Sequence, residues 1–407
     1  MNHSMTRTFC ASSVLALLAC GPTVASTGTD EDTEAAIDET TGDAEAADES
    51  SSGADAPATC GDGELDPGEA CDDGNDEDAD GCNVDCTVSG SVLWSYALPD
   101  GMRVAFIDVD GSDQLHALAL DRTQMVHLVF DPEGELVHDE PLDVPLDAPE
   151  DARSVERVIY GFGLSSEGAP IVSFTDAYFL ADGDVTARSH LVSLDPAWQH
   201  TFPPNSVPLQ FDVAPDGRIV GEAGTIHTFA PDGTLEVSDE DASAGFVAAV
   251  ADGLAIGKGG LTVYDASGSA LWSEDWSPLP LSVISAVQPA PAGQGVAYGG
   301  VLDPDDLGTV QIRLSRFDAS GEVSTWTWPE MPGDVGAVLR GLAVTPSNHV
   351  VIAVRDADAE HAMLWKLDAG YQTRWSAELD APVRQLESDS TGALLVHTED
   401  TVRKYAR

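Results

Sequence analysis

Short hairpin-like segments recur along most of this chain, and their recurrence limits what the chain can fold into. From residue 91 onward, short alternating apolar runs are separated by Gly, Pro, Asp and Ser, with no long helical period. We expect one exception, a short turn of helix at Pro149–Arg157, inside a loop covering Pro145–Arg157. The pattern predicts an all-β fold.

One repeated element is a turn of the form apolar-Asp-x-x-Gly. Asp and Gly favour hairpin turns because Asp hydrogen-bonds locally and Gly accepts positive φ. A bulky residue often follows the Asp by seven positions, and we interpret the Trp residues found there as packing between neighbouring repeats. The turns begin at Phe130, Leu194, Tyr264, Phe317 and Leu367, with a variant at Phe229; the bulky residues are Phe202, Trp272 and Trp375, with Trp326 one position later.

A second hairpin precedes each of these turns, so that each repeat supplies four antiparallel strands. Four such strands are typical of one blade of a β-propeller. The seven hairpins lie at Val109–Leu115, Leu164–Pro170, Val213–Arg218, Val250–Leu254, Val287–Val296, Val344–Val350 and Leu386–Leu394.

The last repeat stops at Arg407 without a fourth strand, whereas Ser91–Leu98 is a strand without a repeat of its own. Pairing the two predicts a seven-bladed β-propeller over residues 90–407, closed by its N- and C-terminal strands, with about 45 residues per blade. Closure would remove exposed sheet edges. An eight-bladed ring is the second alternative and a stack of β-sandwiches the third.

One stretch carries a family resemblance. Asp265–Trp272 is similar to the tryptophan-docking motif of pyrroloquinoline-quinone-type propellers, although the Thr of that motif is missing, and the repeats as a whole resemble those of pyrroloquinoline-quinone-type or WD40-like propellers. The resemblance implies the propeller fold and does not imply the quinone cofactor.

The N-terminus is typical of an export signal. Arg7 precedes an apolar stretch, Phe9–Ala19, that is too short to span a bilayer. Leu17-Leu18-Ala19-Cys20 resembles the bacterial lipobox. This implies a lipoprotein signal peptide at residues 1–19 and lipidation of Cys20, and Gly21 in place of Asp implies the outer membrane or cell surface. A plain secretory signal is the alternative. Residues 20–59 are nearly free of bulky apolar side chains, which predicts a disordered acidic linker.

Residues 60–88 contain Cys60-Gly-Asp-Gly, Gly68-Glu-Ala-Cys71-Asp-Asp-Gly-Asn, Asp80-Gly-Cys82 and Cys86. This pattern resembles the Myxococcus cysteine-rich repeat, which implies a small disulfide module. Four cysteines allow three pairings, of which we favour Cys60 with Cys82 and Cys71 with Cys86. A structural zinc is the rival, but no His lies between Cys60 and Cys86.

The same module is rich in the oxygen ligands that Ca²⁺ prefers. We predict a possible calcium loop there, although no Glu stands at the twelfth position as in an EF-hand; an exposed Asp/Asn-rich turn is the alternative. The candidate ligands are Asp72, Asp73, Asn75, Asp78 and Asp80.

Composition narrows the function. The formal net charge of −53 disfavours nucleic acid and anionic lipid as partners. No nucleophile elbow, zinc-protease motif or phosphate-binding loop is present. We therefore expect an envelope-anchored, monomeric, non-catalytic binding platform for protein or glycan. The alternatives are a propeller enzyme, quinoprotein-like or glycan-cleaving, and a scaffold in outer-membrane protein assembly.

Overall fold

The computed structural model describes residues 60–407, except 122–123, 145–147, 207, 224, 240–245, 251–252, 258–259, 266, 276–282, 292–293, 303–309, 329–337 and 356–361. The regular elements of this part are 28 β-strands, arranged as seven four-stranded sheets. Within it, no helix is long and apolar enough to cross a membrane. The predicted signal peptide, Cys20 and the acidic linker lie outside the described residues.

All seven sheets are antiparallel blades whose strands follow the chain order. Blade 1 contains β2 (Met102–Val109), β3 (Leu115–Asp121), β4 (Gln124–Phe130) and β5 (Leu136–Leu142). Blade 2 contains β6 (Ala152–Leu164), β7 (Pro170–Leu180), β8 (Val185–Leu194) and β9 (Ala197–Thr201). Blade 3 contains β10 (Gln210–Val213), β11 (Ile219–Glu222), β12 (Ile226–Phe229) and β13 (Leu235–Asp239).

The next three blades repeat this order. Blade 4 contains β14 (Phe246–Val250), β15 (Gly253–Gly257), β16 (Gly260–Asp265) and β17 (Ala270–Asp275). Blade 5 contains β18 (Val283–Ala290), β19 (Gln294–Leu302), β20 (Val310–Asp318) and β21 (Gly321–Trp328). Blade 6 contains β22 (Val338–Val344), β23 (Val350–Arg355), β24 (Ala362–Leu367) and β25 (Thr373–Leu379).

Blade 7 joins the two ends of the propeller. It contains β26 (Gln385–Ser388), β27 (Leu394–His397), β28 (Thr401–Tyr405) and, as its outer strand, β1 (Val92–Ala97). β1 pairs antiparallel with β28, placing Trp94 opposite Lys404 and Tyr96 opposite Val402. The predicted seven-bladed ring and its closure are therefore confirmed.

The apolar core lies between neighbouring blades. At the seam of blades 1 and 2, Leu118 and Met125 belong to the same buried cluster as Val172 and Phe174. The other blades pack in the same way, because each sheet has apolar side chains on both faces. The first strand of every blade contacts the first strands of its two neighbours, so these seven inner strands surround the ring centre.

Tryptophans of the outer strands lie on the turns of the next blade. Trp94 Nε1 of blade 7 donates to Pro132 O of blade 1 at 3.1 Å, and Trp272 Nε1 of blade 4 donates to Asp318 O of blade 5 at 2.7 Å. Blade 2 uses Trp198 rather than Phe202 in this role: its ring lies against Gly233 of blade 3, where an added Cβ would be 2.4 Å away. Its turn leaves two residues between the paired Leu194 and Ala197, so the outer strand begins early, and Phe202 is buried in the core instead. The Trp residues thus pack between blades, as predicted.

This packing predicts the cost of a side chain at Gly134. Gly134 has φ +88°, and a Cβ there would lie 2.5 Å from the Trp94 ring; Gly183 has φ +96° with nothing within 4 Å. Gly183→Ala is expected to lower the free energy of unfolding by about 1 kcal/mol, from backbone strain alone. Gly134→Ala is expected to cost about 1–3 kcal/mol more because Trp94 must move. Urea unfolding of the two variants measures the difference, and equal losses would contradict the role given to Trp94.

The prediction of a short helical turn at Pro149–Arg157 is wrong. Residues from Ala152 onward belong to β6, the longest strand of the described chain at 13 residues. Arg157 forms two hydrogen bonds with the buried carboxylate of Asp176 on β7, at 2.7 and 2.9 Å, and its guanidinium lies 4.2 Å from the Phe174 ring centroid. These cross-strand contacts hold the segment extended. Residues 145–147 of the predicted loop lie outside the described ranges.

Candidate functional site

A cavity of about 1050 Å³ lies at the centre of the ring. Residues of all seven inner strands line it, together with the first turns of blades 1 to 3. Each inner strand ends in a hairpin on the same face of the ring, so the last residues of those strands converge there. The cavity is therefore a direct consequence of the seven-fold repeat, and its chemistry is set by the inner-strand positions that face it.

Three carboxyl groups occupy one equivalent position of this repeat. Asp108, Asp212 and Glu387 are each the next-to-last residue of their inner strands, β2, β10 and β26. All three line the cavity and are partly accessible to it. Blades 1, 3 and 7 thus direct carboxyl groups toward the ring centre.

Two of these carboxylates hold neighbouring blades together. Asp108 Oδ2 accepts the Leu164 N–H of blade 2 at 3.0 Å, and Asp212 Oδ2 accepts the Ala249 N–H of blade 4 at 2.7 Å. The Oδ1 atom of each accepts the N–H of the following valine at 2.8 Å. Both oxygens of both groups are therefore engaged by backbone donors.

Blade 7 bonds to blade 1 through an amide. Gln385 Oε1 accepts the Ile107 N–H at 3.0 Å, and Gln385 Nε2 donates to Ile107 O at 2.9 Å. The same Nε2 donates to Glu387 Oε1 at 2.8 Å. Glu387 is thus oriented by a neighbour on its own strand, and no backbone donor of another blade bonds to it among the hydrogen bonds of the described residues.

Burial and neighbouring negative charges raise the pKa values of the three cavity carboxyl groups. Burial raises the pKa of Asp108 to about 7, and the Asp212 charge adds to this, while the N–H groups of Val109 and Leu164 oppose it. Burial also raises the pKa of Asp212. The pKa of Glu387 lies well above its ordinary value because of burial, then because of the charges of Asp108 and Asp212. These carboxyl groups therefore lose their protons at a higher pH than ordinary side chains do, and Asp108 does so near neutrality.

The described lining residues include neither His, Cys nor Lys, and Arg384 is their single cation. Arg384 is half exposed and lies 3.6 Å from Glu399. A nucleophile paired with an imidazole base is thus not present among these residues. The lining provides carboxyl, amide and backbone groups that can form hydrogen bonds with a polar ligand.

A pair of histidines lies behind the rim of the cavity. His116 Nε2 is 3.5 Å from Asp110 Oδ2, and His116 Nδ1 is 2.9 Å from His127 Nε2. Burial, then the neighbouring His116 and His138, lower the pKa of His127 to about 4. Both rings are buried in their strands, which is typical of histidines with a structural role.

The predicted calcium ligands divide into two groups. Asn75 Nδ2 donates to Asp73 Oδ1 at 3.1 Å and to Asp80 Oδ2 at 3.3 Å, so these three side chains lie together. Asp72 instead accepts N–H groups of the adjacent turns, and Asp78 pairs with Arg407 at 3.1 Å. In the described part of the chain, no group of three or more His, Cys, Asp or Glu side chains has the geometry to hold a metal ion. Calcium binding stays a prediction.

The favoured cysteine pairing is wrong. Cys71 is joined to Cys82, with Cα atoms 5.6 Å apart, whereas Cys60 and Cys86 are free thiols. The chain between Cys71 and Cys82 folds back through the Asp/Asn-rich turns, where Cys82 N–H donates to Asp73 Oδ2 at 3.0 Å. This return brings together two cysteines that the spacing alone did not pair.

Comparisons with known proteins bear on the fold. No family model matches the sequence, and neither does any curated protein. A virginiamycin B lyase from Staphylococcus aureus superposes with a TM-score of 0.52 and 13% identity, covering 77% of this chain and 98% of the lyase. A streptogramin B lyase superposes with a TM-score of 0.51 and 10% identity, covering 77% and 97%. At these identities the likeness shows a shared propeller fold.

Sequence reasoning missed the cavity carboxyls and Gln385. A signal was present, since an acidic residue lies two positions before the first residue of the turn in each case: Asp108 before Asp110, Asp212 before Ala214 and Glu387 before Asp389.

Proposed function

We propose that the propeller is a non-catalytic binding platform for a protein or glycan, and that the ligand binds at the mouth of the central cavity. The cavity itself is the observation that supports this proposal. It is large enough for a side chain or a sugar, it is lined by hydrogen-bonding groups, and its described residues contain no nucleophile–base pair. Hairpin loops on a rigid ring are common binding elements.

Site-specific photo-cross-linking tests the location. Ser166 is exposed on the first hairpin turn of blade 2 and lines the cavity; Asp182 is exposed on the β7–β8 turn, at the opposite ends of those strands. With a photo-reactive benzoylphenylalanine at either position, native envelopes and a glycan array are expected to give adducts from position 166 and not from position 182. Adducts of equal yield from both positions would contradict a ligand at the cavity mouth.

We propose further that the chain is a lipoprotein of the outer membrane or cell surface, acylated at Cys20. The lipobox-like sequence supports this, since several acyl chains hold a protein firmly to a bilayer. Cys20→Ser is expected to release the protein from the membrane fraction and to remove the lipid mass, whereas Cys10→Ser is expected to change neither. A Cys20→Ser protein that still fractionates with membranes would contradict the anchor.

A glycan-cleaving enzyme is the second candidate, and the raised pKa of Glu387 favours it. A protonated carboxyl in a cavity can act as a general acid. Asp108 and Asp212 suit that role less, because backbone N–H groups engage both of their oxygens. Turnover of a glycan in a panel, lost in the Glu387→Gln variant, would establish catalysis. If no glycan of the panel is cleaved, the enzyme proposal fails and the non-catalytic binding platform is retained.

A further inference from the structure

The segment from Cys60 to Gly90, here named the cysteine module, packs across the seam between blades 6 and 7. Ala79 of the module is fully buried, in one cluster with Trp375 of β25 and Tyr405 of β28. Gly90 lies against the Trp375 ring, where an added Cβ would be 3.0 Å from the ring. The module is therefore part of the same core as the closing blade.

Charged and backbone groups fasten the module to both blades. Arg407, at the end of the chain, lies 3.1 Å from Asp78 and 3.6 Å from Asp85. Gly90 N–H donates to Ala406 O at 3.2 Å. On blade 6, Arg374 lies 3.9 Å from Glu77. Since β1 follows the module directly, the module connects the outer strand of blade 6 with the two strands that close the ring.

The two thiols of the module lie beside each other. Asn83 O accepts the Cys60 thiol at 3.2 Å and the Cys86 N–H at 2.8 Å, so one carbonyl oxygen contacts both cysteines, and Cys86 Sγ donates to Glu69 Oε1 at 3.5 Å. The adjacent Cys60 thiol, then partial burial and Glu69, raise the pKa of Cys86 to about 12. Both thiols are half-buried, so a small oxidant can reach them.

We propose that Cys60 and Cys86 form a second disulfide, and that the two bridges make the module a rigid clasp, which noncovalent contacts hold across the seam of blades 6 and 7. Each thiol loses one hydrogen and the two sulfurs become bonded. A disulfide oxidant such as oxidised glutathione accepts the two electrons and two protons and becomes two thiols. The bridge links the first residue of the module to a residue six positions before β1, so the module cannot unravel from Cys60 without breaking that bond.

Disulfide mapping tests the pairing in the full chain carrying Cys10→Ser and Cys20→Ser, after oxidation with a glutathione mixture. Residues 21–90 contain no Lys or Arg, so trypsin leaves the four cysteines in one peptide. Cleavage at Asp separates them, because an Asp lies between each cysteine and the next. The expected products link Cys60 to Cys86 and Cys71 to Cys82. Alkylated Cys60 and Cys86, or a bridge from either of them to Cys71 or Cys82, would overturn the proposal.

Hydrogen exchange tests the clasp. In Cys60→Ser/Cys86→Ser, the amides of β1 and β28 are expected to exchange about tenfold faster than in the oxidised parent, because less energy is needed to open the seam. The amides of β11 in blade 3 serve as the internal control and are expected to be unchanged. If exchange in β1 and β28 is unaffected while mapping shows both bridges, the module is only a local structure and the clasp is refuted.

Discussion

A chain that begins at Pro99, and so lacks β1, is expected to lose most of the cooperative stability of the propeller. Without β1, the edge of β28 has no partner, and the Phe130 ring loses Tyr96 and Trp94, whose centroids lie 4.9 and 6.0 Å away. Large aromatic deletions cost about 3–5 kcal/mol each, so the loss is expected to exceed about 5 kcal/mol, a large share of the stability of a typical domain.

Thermal and urea unfolding of three chains isolates this effect. A chain beginning at Cys60 retains the module and β1, a chain beginning at Gly90 retains β1 alone, and a chain beginning at Pro99 retains neither. The large loss is expected between the second and third chains. A synthetic peptide of residues 90–99 is expected to restore part of the stability by adding the missing strand. Equal unfolding midpoints for the second and third chains would mean that the ring does not depend on β1.

The second large effect is a stability that falls as the pH rises toward neutrality. The folded chain holds the proton of Asp108 up to a pKa of about 7, against 3.8 for the ordinary side chain. The contribution of this group is therefore complete below about pH 4 and is lost as the pH rises through 7. At about 1.4 kcal/mol per pKa unit, its upper limit is about 4 kcal/mol. The raised pKa values of Asp212 and Glu387 act in the same direction.

The Glu387→Gln variant tests this pH dependence, because it removes one negative charge from the cavity while keeping a hydrogen-bond acceptor for Gln385. The variant is expected to raise the free energy of unfolding at pH 8 by about 1–3 kcal/mol and to weaken the pH dependence between pH 5 and 8. Glu135→Gln, at an exposed turn position, is the matched control and is expected to change neither. The measurement is urea unfolding at several pH values. A Glu387→Gln variant less stable than the parent at pH 8 would contradict the repulsion between the carboxyls.

These carboxyls occupy one repeat position in three of the seven blades, and two of them also join neighbouring blades. Asp108 and Asp212 accept N–H groups across a blade seam while their charges repel each other across the cavity. Hydrogen bonds from backbone N–H groups favour the charged form of these carboxyl groups, whereas burial disfavours it. The same residues therefore join neighbouring blades and make the stability of the ring depend on pH.

The strand order could be predicted from sequence because its signals are local. Two signals act over four to eight positions: the Asp-x-x-Gly turns, such as those beginning at Phe130 and Tyr264, and the alternation of apolar residues. The hairpins predicted at these two turns are present in the structure. Ring closure followed from the same repeats, since the last blade was one strand short. The failure at Pro149–Arg157 has a tertiary cause, because Arg157 is held extended by Asp176, nineteen residues away.

The sequence by itself determined that this chain forms four-stranded β-blades and that its two ends meet in one of them, because turn chemistry and side-chain alternation depend on near neighbours. Only the tertiary structure decided which side chains meet at the ring centre, which cysteines are joined, and where the module packs. Those contacts join residues such as Ile107 and Gln385, or Asp78 and Arg407, that lie hundreds of positions apart. Their proximity is set by the curvature of the whole ring, which no local pattern contains.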